Sequence, residues 1–500
     1  MSEVPRRRSL DGLLAVFVGS AAFSLYVATL APTVLAGDPG EFQFVPYLLG
    51  VAHPTGYPLY CLLGWIWSHL LPLGDPSSVA GFSVAYRLNL FSAFWAALAV
   101  GLLYPTARLL LRQACPNLPP VRQRLLAALA AATFAVTPTF WSQAVIAEVY
   151  GLHTFFLVLL LYLLLTFGEK TEKGPWRYRH LLPTAFCFGL SLTHHRTTLL
   201  LAPALLAYGW RRGKVASDKF RSAGAPRAKR HSQLVAWGLL LIACCLPLLL
   251  YLYIPLRAPH ASYLRQPLAQ GRELVLYENA LTNFVDFILG GPFGGSLDFS
   301  VDLGARLAMA WRFLHNEIGW LGVVLALIGA ARLAASRKWA LLALTGLTYV
   351  ATVTFNLVYT IGDIYVLFIP SYLVVVLWLT VGVGSLAQAS QRLLSRQADG
   401  VSRVGPVAAS RGRVVGAGVV LLFFTLPMAL AATHYADIDQ SQRTSAHTRW
   451  ETILSEPPPP DAVLVSNDRN NIMPLWYFQY VDGRRTDLLG LFPLITPEYP

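Results

Sequence analysis

Apolar runs recur from one end of this 500-residue chain to the other, and most are long enough to cross a bilayer as a helix. They fall roughly at 13–34, 86–107, 125–140, 144–167, 181–193, 196–210, 234–255, 318–336, 339–357, 365–387 and 414–433. In hydrocarbon a backbone must satisfy its own hydrogen bonds, so such runs fold as helices. The chain is 55% hydrophobic and 13% charged, against about 25% charged in a soluble domain. The expected fold is an all-α polytopic membrane protein with about 11 transmembrane helices. The first run follows Arg6-Arg7-Arg8 and has no small-residue cleavage site behind it, which reads as an uncleaved signal anchor. Cys61, Cys115, Cys187, Cys244 and Cys245 lack the spacing of a metal knuckle, which argues against a zinc site or a disulfide framework.

Charge sets the orientation. Of the 39 Lys and Arg, 27 fall in alternate connections on one side, and the other 12 share the opposite side with 20 of the 26 acids. The positive-inside rule then puts the N-terminus in the cytoplasm and the acidic connections on the extracytoplasmic face of a bacterial cell membrane, or of the ER in a eukaryote. The net charge of +13 therefore reports topology and gives no reason to expect nucleic acid. The 30 residues from Leu181 to Trp210 are too few for two full crossings. Both flanks are basic, so two short helices meeting at an outer turn are expected, with His194, His195 and Arg196 on that turn.

The expected domains are a membrane part, 1–433, and an external segment, 434–500. Within the first, the external loops 35–85 and 256–317 read as amphipathic, surface-lying segments rich in Pro, Gly and aromatics. The second reads as small α/β: a strand from Asp461, a helix over Asn470 to Tyr480 and a strand over Thr486 to Leu491, led in by Pro457–Pro460. The basic stretch 211–233 reads as disordered. No internal repeat is visible.

Acids beside a bilayer are costly, which draws attention to Leu35–Tyr60, LAGDPGEFQFVPYLLGVAHPTGYPLY. Asp38, Pro39 and Glu41 have the spacing of a capping box. The same carboxylates suit general-base work on an incoming hydroxyl, and two acids at i and i+3 suit a divalent metal, Mg or Mn, although no cofactor or metal ligand is assigned. His53 and Tyr57 sit on a rigid Pro-Gly turn, where His53 orients a carboxylate, binds phosphate or is simply a structural donor. Glu148 begins a span in an apolar setting and needs a partner, for which Arg196 or one of the two neighbouring histidines is the obvious choice. His194-His195-Arg196 is the most cationic point in the apolar mass and suits a phosphate clamp. Asp363 lies in a short outer turn and reads equally as a turn-former. Tyr251–Arg257 reads as an interfacial belt.

GDPGEFQFVPYLLGVAHPTGYPLY resembles the G-D-S-G-E…G-V-A-H-P-P-G-Y-P-L signature of a large family of polytopic proteins that includes the eukaryotic O-mannosyltransferase acting on IPT/TIG domains. AEVYGLHTF, GLSLTHHRTTLLLAP, YLYIPLRA, GDIYVLFIPSYLV and SNDRNNIMPLWYFQYVDGRRTDL follow in the family's order, so the resemblance runs from about Ala31 to Leu491. It departs at Pro39 for Ser, at Thr55 for Pro, and at N-D-R-N-N for G-D-N-D. The resemblance implies a GT-C-like glycosyltransferase that takes a sugar, mannose among the candidates, from a polyprenyl-phosphate donor on the outer face. It implies an inverting displacement with Asp38 as base and Glu41 beside it. His53, Tyr57, Glu148, His194, His195, Arg196 and Asp363 would bind substrate, with Arg196 held by Glu148. The implied partners are the lipid-linked donor, a protein, lipid or glycan acceptor, and the bilayer. The competing reading is a polytopic transporter or flippase for a lipid-linked or small anionic solute, which would need ionisable groups deep in several spans; here they cluster at one face.

Overall fold

The structure, a computed structural model, describes residues 3–70, 83–173, 178–222, 230–267, 273–399, 406–456, 458–466 and 468–491. Its helices are α1 (Glu3–Ala28), α2 (Asp38–Phe42), α3 (Pro58–Leu70), α4 (Val84–Ala114), α5 (Pro120–Ala135), α6 (Pro138–Ala144), α7 (Tyr150–Lys173), α8 (Leu182–Leu192) and α9 (Ala202–Ser222). The second half adds α10 (Arg230–Cys245), α11 (Tyr253–Arg257), α12 (Leu281–Leu289), α13 (Leu303–Ala335), α14 (Trp339–Val358), α15 (Ile369–Asp399), α16 (Pro406–Ile438), α17 (Ser445–Ser455) and α18 (Arg469–Tyr480). Strands are few. β1 (Arg265–Pro267) pairs antiparallel with β2 (Glu273–Val275), and β3 (Val463–Val465) pairs parallel with β4 (Leu489–Leu491) across α18, which realises the expected C-terminal α/β segment.

Among the described residues, seven helical stretches are long and apolar enough to cross a membrane. The bent pair α5–α6, turned by 68°, makes an eighth. Every expected apolar run contains helix, but 125–140 is split by that bend, 181–193 is only the short α8, and 196–210 starts as a 3-10 turn before α9. Proline explains the bend: Pro138 cannot continue α5 and instead starts α6. The basic stretch 211–233 departs from expectation, because α9 runs through Ser222 and α10 begins at Arg230, while 223–229 lie outside the described residues. Arg and Lys are good helix formers, so a helix already nucleated in α9 propagates through them.

Helices approach closely where side chains vanish. α13 and α15 meet at Gly329 and Gly382; a Cβ on Gly329 would overlap the carbonyl oxygen of Trp378, and one on Gly382 that of Leu325. Gly19 of α1 and Gly101 of α4 repeat the device, with a Cβ on Gly19 only 3.2 Å from the Ala97 oxygen. Lipid gives helices no hydrophobic reason to pair, so such small-residue contacts carry the packing.

The two ends of the bundle differ chemically. At one end Asp11 of α1 accepts from Arg108 of α4 and, at 2.8 Å, from Arg124 of α5. At the other end lie the acidic loop, the 193–195 turn and residues 359–363. Between them α13 breaks at Gly319 (φ 61°, ψ 177°). Just before the break Glu317, fully buried, accepts from the N–H and hydroxyl of Thr139, so it caps the start of α6 from another helix. The signal for this residue was an acid followed closely by glycine at the edge of an apolar run.

Candidate functional site

The acidic loop is held from three directions. From α4, Asn89 donates to the Ala31 carbonyl at 2.8 Å, and Gln43 links Leu35, Thr33 and Asn89. From the second large loop, Tyr253 donates to the Gly50 carbonyl at 2.6 Å, Tyr263 to that of Val51 at 2.7 Å, and Arg257 to that of Leu49 at 2.8 Å. Tyr251 donates to the Leu192 carbonyl at the end of α8, 2.7 Å away. Residues 251–257 therefore bind the loop and the His-His-Arg turn, a larger role than the interfacial belt expected of them. From the C-terminal segment, α18 seats against α2. A Cβ on Gly40 would lie 3.0 Å from the Met473 Cβ, one on Gly37 would overlap the Asn470 side chain, and Phe44 meets Trp476 edge-on at 6.3 Å. Phe42, Phe44, Val45 and Tyr60 are buried, so this part of the loop lies deeper than a surface segment.

The capping box does not form as expected. Asp38 is the first helical residue, and the cap position is held at φ 79° by Gly37, which has no side chain to cap with. Both carboxylate oxygens of Glu41 reach His53: Oε1 accepts its backbone N–H at 2.8 Å and Oε2 faces its Nδ1 at 2.6 Å. The spacing rule describes local geometry, and here a tertiary contact twelve residues away takes the carboxylate. Glu41 thus clasps the Pro-Gly turn, whose Gly56 has φ 82° and donates to the His53 carbonyl at 2.7 Å. Glu41→Gln is expected to lower stability by about 1–3 kcal/mol, because a buried charge-assisted pair is lost. Thermal unfolding in detergent measures it, and an unchanged Tm would remove the clasp.

Asp38, Glu41 and His53 each offer a ligand atom within 4.8 Å of the others. One imidazole and two carboxylates suit a first-row transition-metal dication better than Mg, which prefers oxygen ligands alone.

Tyr57 marks the centre. Its phenol is pushed up by burial, then by the fields of Asp38, Glu148 and Asp363, while Arg196 opposes them. Its ring lies 5.2 Å from His53, 6.4 Å from His194 and 6.2 Å from His195. The residues singled out in the sequence are therefore neighbours in space. Glu148 is buried on the loop before α7, its N–H donating to Ser92 Oγ at 2.9 Å. Burial, Asp38 and Asp363 raise its carboxyl well above the ordinary range. Asp363 opens to solvent on one side, yet the protein around it and the charge of Asp38 raise its carboxyl too.

Arg196 is not paired with Glu148. Its Nη1 donates to the Leu289 carbonyl at the C-terminal end of α12. Gly290 follows there in the left-handed region (φ 66°), and a Cβ on it would overlap the guanidinium. The exposed carbonyls and negative dipole end of a helix are a ready partner for a cation, which explains the different choice. His194 and His195 contribute less charge than expected: burial pushes them down to about 4 and about 3, so Arg196 carries the positive charge of this turn. His194 Nε2 donates to the Val149 carbonyl at 2.9 Å, tying the turn to the Glu148 loop. The sequence reading missed His153, whose ring lies 4.4 Å from His195 and whose Nδ1 has no hydrogen-bond partner among the described residues. It sits one turn past Glu148 in the AEVYGLHTF stretch, which was the available signal.

Residues 38–217 match the family described as the protein O-mannosyl-transferase TMEM260 N-terminal domain. Protein O-mannosyl-transferase TMEM260 of Mus musculus is 34% identical over 195 residues, which cover 39% of this chain and 25% of that one. Its counterpart in Dictyostelium discoideum is 28% identical over 185 residues, 35% of this chain and 21% of that one. The chain thus matches about a quarter or less of the length of these curated relatives. The crystal structure of ArnT from Cupriavidus metallidurans bound to undecaprenyl phosphate superposes with a TM-score of 0.56, at 11% identity, over 92% of this chain and 84% of that one. At that identity the likeness is one of fold. The chain is therefore a polytopic, all-α membrane protein that shares the fold of the ArnT structure and is similar over residues 38–217 to the protein O-mannosyl-transferase TMEM260 N-terminal domain.

Proposed function

We propose that this chain is a membrane glycosyltransferase that moves a sugar from a polyprenyl-phosphate donor to an acceptor hydroxyl on the extracytoplasmic face. The reading is supported by the gathering of Asp38, Glu41 and His53 within 4.8 Å of one another beside Tyr57, whose ring lies within 6.4 Å of His53, His194 and His195, at the end of the bundle away from the basic connections. Asp38, Glu148, Asp363 and Arg196 are near enough for their charges to act on the Tyr57 phenol. The names of the relatives favour mannose as the sugar and a protein hydroxyl as the acceptor. The ArnT complex, with its polyprenyl phosphate, supports a lipid-linked donor. Residues 1–433 form the catalytic membrane part in this reading, and 434–500 buttress its first loop.

The step is a single inverting displacement. The acceptor oxygen attacks the anomeric carbon, Asp38 takes its proton, and the carbon–oxygen bond to the lipid phosphate breaks with its electron pair going to the phosphate. Arg196 steadies that phosphate, and its anchor at α12 leaves the rest of the fork to face it. Glu148, holding its proton, donates to a phosphate oxygen. His53 and Tyr57 shape the wall, and Glu41 keeps His53 in place.

Membranes containing the chain, supplied with radiolabelled polyprenyl-phosphate mannose, are expected to pass label to a protein fraction. Label that crosses the bilayer while staying on lipid would overturn the enzyme in favour of a transporter. The reaction carries a pH signature as well. A raised carboxyl is neutral below its own titration and loses its proton as pH rises through it, so donor binding is expected to weaken on the alkaline side. Glu148→Gln, which stays neutral, is expected to flatten that limb; an identical pH profile would remove Glu148 from donor binding.

A further inference from the structure

At the basic end of the bundle a cavity of about 760 Å³ opens among four elements. Arg112 comes from α4, Glu169 from α7, Arg211, Arg212 and Lys214 from α9, and Arg337 and Lys338 from the turn between α13 and α14. Six cations thus face one carboxylate. Arg112 pairs with Glu169, and Arg212 donates to Gln113 and lies 5.4 Å over the Tyr208 ring. Among the described residues, Arg211, Lys214, Arg337 and Lys338 make no ion pair with a carboxylate. Trp210 and Trp339 stand at the rim, 73% and 48% exposed. The 20 residues of α14 put about 30 Å between this cavity and the end of the helix near Asp363.

The positive-inside rule accounts for basic residues on this face, yet not for their convergence from separate helices on one hollow. Nor does it account for the backbone of Arg337. This residue has φ 51°, in a helix-ending turn where its N–H donates to the Ala334 carbonyl and that of Lys338 to Leu333, each at 2.9 Å. Glycine usually fills that position. The chain instead keeps an L-residue in the left-handed region, and what it holds there is a guanidinium on the cavity wall.

We propose that this cavity binds the phosphate headgroup of an anionic phospholipid, in the leaflet opposite the transfer site. The cations supply charge-assisted hydrogen bonds to phosphate oxygens, and the two tryptophans sit where amphipathic rings prefer to lie, at the headgroup level. Basic pockets between membrane helices are suited to such headgroups. The site is separate from the transfer chemistry, so it stands or falls independently of it.

Native mass spectrometry of the full chain in detergent, with cardiolipin or phosphatidylglycerol competing against phosphatidylcholine, reads the preference. Wild type is expected to retain the anionic lipid. The double variant Arg337→Gly, Lys338→Gln removes two cations and gives the turn its usual glycine. It is expected to retain anionic lipid about tenfold less well or worse, with a Tm equal to or above that of wild type. Arg211→Gln with Lys214→Gln, which leaves the turn untouched, is expected to lose retention similarly. Retention unchanged in both variants would overturn the site. Saturable binding of inorganic pyrophosphate without any preference for anionic lipid would overturn the lipid and assign the cavity to a soluble phosphate.

Discussion

Replacing Asp38 with Asn is expected to lower sugar transfer about 10²–10⁴-fold, the usual contribution of a positioned base. Asn keeps the shape of the side chain and removes its capacity to take a proton. The substitution leaves the Glu41–His53 clasp, Tyr57 and Arg196 in place, so donor binding and Tm are expected to change little. Transfer from radiolabelled donor, measured beside donor retention and thermal unfolding, separates the base from a merely structural acid. If the variant keeps more than about a tenth of the wild-type rate, Asp38 is not the base. If donor retention falls as steeply as transfer, its role lies in binding, through charge or through a metal shared with Glu41 and His53.

Gly382→Val is expected to be the most damaging change outside the site. α15 is the most deeply buried of the membrane helices, with 94% of its apolar window inside the fold, and it meets α13 through Gly382 and Gly329. A Cβ at either glycine overlaps a backbone carbonyl of the other helix, and a backbone cannot move aside as a flexible side chain does. Over-packing a core costs about 1–3 kcal/mol, and this contact is expected to reach the upper end or exceed it. Thermal unfolding in detergent checks it. Gly418→Val, on α16 with nothing within 4 Å of its Cβ position, is the control expected to leave Tm unchanged. Equal Tm values for the two variants would mean that the α13–α15 contact is looser than described.

Much of this was readable in the residues alone. Periodic apolar runs and the placement of basic connections need only local composition, and they led to the helices and to two chemically distinct ends. Asp38, His53, Glu148, Arg196 and Asp363 stood out because each is an ionisable group where ionisable groups are expensive. What stayed hidden was partnership. Glu41 looked like part of a capping box because spacing is local, whereas its true contact with His53 depends on how the loop folds back. Arg196 looked destined for Glu148 because opposite charges attract, yet a helix end exposing the Leu289 carbonyl competes well, and burial with the charges of Asp38 and Asp363 raises the Glu148 carboxyl instead. The cap that Glu317 provides to α6 and the seat of α18 on α2 join residues far apart in the chain. No window of sequence contains both halves of either contact.

The seat of α18 also orders events in time. Asp38 is translated more than 400 residues before Asn470 and Met473, the side chains that meet its neighbours Gly37 and Gly40. The first loop is therefore seated by a helix that is made long after it. Until that helix docks, Gly37 and Gly40 lack the side chains that meet them in the finished fold. The final seat of the first loop therefore waits on residues translated long after it.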